Sequence, residues 1–305
     1  MTPLQINFLG TPLKNPVATS SGCFGFGLEY RDYFDPDLLG AIGLKGTTLR
    51  PRMGNMGTRV TETPAGMLNT VGLENPGVRH VKDATIPEIR AAKVHTPLIF
   101  NLSGSTMEDY VEGAKIVDTI DDVAFLELNI SCPNVKDGGM AFGANPCVAG
   151  EVTAAVRKQT KKPLIVKLTP NVNDVAAIAK IVEEAGADAI SVINTLLGMA
   201  IDVRTRKPVL GNIFGGLSGP AVKPVALRIV YQVYKAVKIP IVGMGGISST
   251  EDALEFIFAG ATLVSVGTGI FKNPLLPVEI IQGLEKYCVE NGVSNIEELV
   301  GAAHR

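Results

Sequence analysis

A closed barrel of eight β-strands alternating with helices is the fold class this sequence predicts, and three observations predict it. Eight short runs rich in β-branched and other apolar residues are spread along the chain, and segments with helical periodicity stand between several of them. No shift in composition marks a linker or a second domain. The 305 residues are therefore read as one domain, 1–305, since barrels of this class run past about 250 residues as a single unit.

The strands are expected at VATSSG from Val17, AIGLKGTT from Ala41, PLIFNLSG from Pro97, FLELNIS from Phe125, PLIVKLTP from Pro163, AISVINT from Ala189, PIVGMGGI from Pro240 and LVSVGTGI from Leu263. Unbroken apolar runs of this kind suit strands buried on both faces of a parallel sheet. Between them, Ser105 with Glu108 forms the pattern of a capping box ahead of Val111, Ala114, Val117 and Ile120, which share one helical face. Asp174 is placed as an N-cap before Val175, Ile178, Ile181, Val182 and Ala185, and Gly186 then ends that helix. Ser248 with Glu251 is expected to cap a third helix leading to Ala259. The stretches after Thr48, Cys132 and Leu197 are left to be loops above the C-terminal face of the barrel. An open doubly wound sheet, the alternative fold, asks for a G-x-G-x-x-G turn after the first strand, where this sequence has SSGCFGFG.

Composition excludes several functions. With 46% hydrophobic residues, 19% charged residues and a net charge of −2, bulk charge favours neither nucleic acid nor an anionic membrane. The N-terminus has no basic segment followed by an apolar core, and no run approaches the roughly 18 apolar residues of a membrane span, so a cytoplasmic protein is expected. The four cysteines, Cys23, Cys132, Cys147 and Cys288, stand far apart with no C-x-x-C pair, which argues against a zinc ribbon, an iron–sulfur cluster in this chain or a disulfide framework, and no metal site is expected.

In such a barrel the C-terminal strand ends carry the active site, and here those positions are polar. They hold Ser20 and Ser21, Lys45, Asn101, Asn129, Lys167, Asn194 with Thr195, Gly245 with Gly246, and Gly267 with Thr268. The last two strands end in GMGGIS and GTGIF, where backbone N–H groups commonly hold a phosphate. Lys45 and Lys167 interrupt apolar strands, which calls for an anion close by; either could instead form a Schiff base, as in barrel aldolases. The amides of Asn69, Asn101, Asn129 and Asn194 suit a planar ring edged with donors and acceptors, such as a carboxylated pyrimidine. Cys132 follows a strand and precedes Pro133 and the Gly138-Gly139 pair. It is either an inert buried thiol or a proton acceptor beneath a hinged loop. With His80, His95 and His304 all remote in sequence, a Cys/His hydrolase is disfavoured.

Taken in order, SSGCFG, LKGTT, LNTVGLENPG, ELNISCPNV, VKLTPN, VINT, GGLSGPA, GMGGI and GTG resemble the motifs of dihydroorotate dehydrogenases along nearly the whole chain. The resemblance implies an FMN-binding barrel that oxidises dihydroorotate to orotate. The cysteine of N-x-S-C-P-N-V and the short N-terminus resemble the class 1 enzymes, and KDGGMAFGANP looks like the NAD-linked class 1B catalytic subunit. That subunit works in a heterotetramer with a partner carrying FAD and a 2Fe-2S cluster; the fumarate-linked class 1A homodimer is the alternative. Carried over by position, the resemblance implies that Cys132 takes the C5 proton while the C6 hydride goes to FMN. It implies substrate contacts from Lys45, Asn69, Thr70, Val71, Gly72, Leu73, Asn129, Asn194 and Thr195. It further implies FMN contacts from Ser21, Lys45, Gly46, Asn101, Asn129, Lys167, Ile193 and Gly219, with Gly245, Gly246, Gly267 and Thr268 on the phosphate. Cys23 receives no role. A flavin-free lysine aldolase and a non-catalytic docking barrel remain the rival readings.

Overall fold

Valine, isoleucine and leucine dominate eight strands that the computed structural model, which describes residues 3–131 and 142–305, arranges in a ring. They are β1 (Val17–Thr19), β2 (Ala41–Gly43), β3 (Leu98–Ser103), β4 (Val123–Asn129), β5 (Leu164–Lys167), β6 (Ala189–Val192), β7 (Ile241–Met244) and β8 (Leu263–Val266). Each pairs in parallel with the next and β8 pairs with β1, so the sheet has no edge. Apart from Ala124, every residue in them is buried, because helices cover the outside and side chains fill the inside. The expected eight-stranded barrel is the observed one.

Two strand details position the site. β2 breaks after Gly43 and resumes along β3 at Thr47–Thr48, so Lys45 sits in the break rather than inside a strand. The register sets Ser103 beside Asn129, Asn129 beside Lys167, and Lys167 beside Ser191. Polar side chains from four neighbouring strands are thereby brought into one row near the C-terminal end.

The helices follow the apolar periodicity, with two caps displaced by one residue. Helix Met107–Asp118 is capped by Thr106, whose hydroxyl accepts from Asp109 N at 3.1 Å, while the Asp109 carboxylate accepts from Thr106 N. Both Ser-x-x-Glu and Thr-x-x-Asp fit the capping-box spacing here, and the extended backbone of Thr106 (φ −133°, ψ 162°) decides between them. Helix Thr250–Ala259 is capped by Ser249 and not Ser248, because Asp252 receives Ser248 N–H and O–H and draws that residue out of the cap. Asp174 caps helix Val175–Glu184 as expected, and Gly186 follows its end with φ +103°.

The stretches expected to be loops after Thr48 and Leu197 contain a sheet. Strands Val60–Thr63, Gly66–Asn69, Phe214–Ser218 and Leu196–Met199 pair antiparallel over the barrel mouth, with a small hairpin of Ile201–Asp202 and Lys207–Pro208 beyond. Glycines at 66, 198, 215 and 216 hide the alternation that would have marked these strands. At the other end, a hairpin of Ile6–Phe8 and Thr11–Leu13 places Phe8 edge-on against Phe125, ring centroids 5.4 Å apart, close to the start of β4. Aromatic packing thus closes the barrel floor. No helix among the described residues is long and apolar enough to cross a membrane.

Candidate active site

A cavity of about 620 Å³ lies at the C-terminal mouth between the strand ends and the antiparallel sheet, a volume in the range of cofactor and small-ligand sites. Its walls bring together the described residues singled out from the sequence. The end of β1 contributes Ser21, the break in β2 contributes Lys45 and Gly46, and the turn after Gly66–Asn69 contributes Asn69, Thr70, Val71, Gly72 and Leu73. The ends of β3 to β6 add Asn101, Asn129, Lys167, Ile193, Asn194 and Thr195. Gly219 follows from the lid sheet, and β7 and β8 add Gly245, Gly246, Gly267 and Thr268. Cys132, Pro133 and the Gly138-Gly139 pair lie outside the described residues.

One wall is made of side chains. Lys167 is 4% exposed, and Lys45 is half-buried. Neither forms an ion pair or a side-chain hydrogen bond among the described residues, whereas Lys223, also on a barrel element, holds both Asp252 and Glu255. Two cations facing a cavity without a carboxylate partner favour an anionic occupant. Beside them a buried chain of hydrogen bonds runs across β3, β4 and β6. Asn101 Nδ2 and Ser191 Oγ donate to the two oxygens of Glu127, Asn129 Nδ2 donates to Asn101 Oδ1, Ser131 donates to Asn129 Oδ1, and Asn194 Nδ2 donates to Ser131 Oγ. Glu127, only 5% exposed, was not among the candidates from the sequence. Its signal is an acid within FLELN, the same anomaly that marks Lys45 and Lys167.

The opposite wall is made of backbone. Among the described residues, the N–H groups of Gly245, Gly246, Gly267 and Thr268 donate to no protein acceptor. Gly246 has φ +79°, and a Cβ there would lie 2.7 Å from Gly219 O, so the protein itself requires glycine. Gly267 is different: a Cβ would meet nothing closer than Ser20 Oγ at 3.6 Å. Packing therefore permits a side chain at Gly267, and its absence leaves the space beside Ser20 and Cys23 to a ligand.

Cys23 also borders the cavity. Burial pushes its thiol up to about 11, against the opposing pull of the Lys167 cation. It is a neutral thiol at physiological pH, in keeping with the absence of an assigned role.

Among the described residues, the barrel mouth presents two lysines without a carboxylate partner, a row of amides and backbone N–H groups without a protein acceptor, which suits acceptor-rich, anionic ligands. The chain belongs to the dihydroorotate dehydrogenase family, whose family model matches residues 3–288. It is 61% identical to the dihydroorotate dehydrogenase B (NAD(+)) catalytic subunit of Brachyspira hyodysenteriae over the whole of both chains. Proteins of the same description from Desulforamulus reducens, 61% identical over 95% of each chain, and Parabacteroides distasonis, 54% identical over 99% of this chain and 98% of its relative, are also similar to it.

Proposed function

We propose that this chain is the catalytic subunit of an NAD-linked dihydroorotate dehydrogenase, oxidising dihydroorotate to orotate in pyrimidine synthesis in the cytoplasm. Besides family membership, one observation supports the reading: Lys45 and Lys167 face a common cavity with no carboxylate partner among the described residues. A substrate carboxylate and an electron-rich cofactor ring supply the missing negative charge.

The residues present fit FMN. Four free backbone N–H groups from Gly245, Gly246, Gly267 and Thr268 suit a phosphate, and the bare Gly267 leaves room for one to approach. Ser21, Gly46, Asn101, Lys167, Ile193 and Gly219 would hold the remainder of the group, with Lys45 and Asn129 shared with the substrate. Bound FMN supplies the hydride acceptor. Lys45, Asn69, Asn129, Asn194 and Thr195, with the 70–73 turn, hold and orient dihydroorotate, and Cys132 takes the proton from its C5 atom. The antiparallel sheet over the mouth excludes water from the pair.

Among the described residues no group of His, Cys, Asp or Glu is placed to hold a metal. The names of the relatives, "catalytic subunit" and "NAD(+)", support electron exit through a second subunit, which we take to carry FAD and a 2Fe-2S cluster in a heterotetramer built on a dimer of this chain. The test is to measure dihydroorotate-dependent NAD and fumarate reduction by the purified chain, alone and co-expressed with that subunit. NAD reduction that rises sharply with the partner is expected. Brisk fumarate reduction by the chain alone, with no gain from the partner, would instead establish the class 1A alternative.

A further inference from the structure

Five non-glycine residues among those described have a backbone in the left-handed region, and only one of them, Leu73, lines the cavity. Its φ of +55° follows +79° at Gly72. With a bulky side chain that conformation has a cost which the surroundings must offset. The N–H groups of Gly72 and Leu73 donate to no protein acceptor among the described residues, so the turn keeps backbone donors unspent at the cavity.

The two halves of this turn are held differently. Asn55 holds the first: its N–H donates to Val71 O at 3.0 Å, and its Nδ2 donates to Thr70 O at 3.0 Å and Thr70 Oγ1 at 2.9 Å. None of these bonds reaches Leu73. Among the described residues Leu73 makes one hydrogen bond, in which its carbonyl accepts from Asn75 Nδ2 at 2.7 Å. Asn75 cannot offer its other end there. Its Oδ1 accepts the backbone N–H groups of Thr48 at 3.1 Å and Gly77 at 2.8 Å, which can only donate. Its Nδ2 also donates to Thr48 Oγ1 at 2.9 Å, and that hydroxyl gives its own proton to Arg50 O. The Asn75 backbone is fixed as well, exchanging both of its hydrogen bonds with Arg52. Every polar group of this buried residue is engaged, and the amide is anchored on Thr48, where β2 resumes.

We infer that Asn75 is a positioning residue for the reaction: by holding the Leu73 carbonyl it keeps Leu73 in the left-handed region, so that the 70–73 turn has its binding shape before the substrate arrives. The inference rests on the proposed reading, in which that turn contacts dihydroorotate. Asn75 itself is absent from the cavity lining and acts through the turn alone.

Asn75→Asp keeps the shape of the side chain and the bonds from Thr48 N and Gly77 N, but turns an oxygen towards Leu73 O. Asn75→Ser adds no charge; its hydroxyl can still accept from Gly77 N, two residues on, yet it lacks the amide nitrogen that reaches Leu73. Isothermal titration of orotate into the FMN-loaded chain is expected to show about 5- to 30-fold weaker binding in both variants, the equivalent of one left-handed residue no longer held, with FMN retained. Thr48→Val is the control. It removes the other bond from the same Nδ2 and leaves the Leu73 bond, so orotate should bind as in wild type even where thermal stability falls. A merely structural role would lower stability in all three variants and orotate affinity in none. Wild-type orotate affinity in either Asn75 variant overturns the inference, as does a loss in Thr48→Val as large as theirs, and Asn75→Ser decides alone if Asn75→Asp does not fold. A wild-type chain that takes up FMN but not orotate overturns the functional reading and this one together, and is recognised before any variant is compared.

Discussion

The two walls of the cavity recognise in different ways. On one side the donors are side chains: three asparagines from the ends of β3, β4 and β6, held by a buried hydrogen-bond network, with Lys45 and Lys167 beside them and outside it. At the ends of β7 and β8 the donors are backbone N–H groups, fixed by the turn itself. A side-chain wall can be tuned atom by atom to one planar substrate. A backbone wall tolerates sequence change as long as the glycines remain, which suits a phosphate common to many ligands.

The largest expected effect belongs to Cys132, the base of the proposed reaction. Cys132→Ala should lower dihydroorotate oxidation by about 100- to 10,000-fold, because a positioned base is lost, while flavin stays bound. Flavin reduction at the wild-type rate in a stopped-flow experiment would refute that assignment. Breaking the side-chain wall comes next. Lys45→Ala is expected to weaken orotate about 10- to 100-fold without stripping the flavin, because a charge-assisted bond to the carboxylate is lost. The backbone wall should fail in the opposite sense: Gly246→Ala forces a side chain into φ +79° and towards Gly219 O, and the protein should purify with little flavin absorbance. If Gly246→Ala lost orotate but kept flavin, the division of labour between the walls would be wrong.

Smaller effects sharpen the picture. With its pKa raised by burial to about 11, Cys23 has roughly one thiolate in a thousand at pH 8, so a thiol reagent should modify the exposed Cys147 first. The sign of the pH effect follows. Because the Cys23 thiol ionises more readily unfolded than folded, its contribution to stability is intact below about pH 8.5 and declines as pH rises above it. Chemical denaturation at pH 7 and pH 10 should show a smaller decline in Cys23→Ala. Thr106→Ala, far from chemistry, should cost about 1 kcal/mol in the same experiment through loss of the helix cap, and Ser105→Ala less, reversing the order expected from the sequence.

Much of this was legible before the structure. The barrel was visible because strands buried on both faces carry unbroken apolar runs, and polar interruptions such as Lys167 in LIVKLT and Asn129 in LELNIS marked points facing the cavity. Glu127 carried the same signal and was passed over because acids inside barrels have no motif of their own. The lid sheet was not legible: its strands are short, glycine-bearing and paired across some 150 residues of chain, as in Gly216 beside Asn69, so no local pattern announces them. Cap positions missed by one residue because two hydroxyl residues in succession offered equivalent spacings.

The central claim is that this cavity holds a flavin and passes it the electrons of dihydroorotate. Anaerobic titration of the purified, flavin-loaded chain with dihydroorotate, followed by flavin absorbance, tests it most directly. A yellow protein is expected, whose absorbance bleaches with one equivalent of dihydroorotate per bound flavin, with orotate as the product. A colourless protein that takes up no added FMN, or a yellow one that dihydroorotate leaves unbleached, would contradict it.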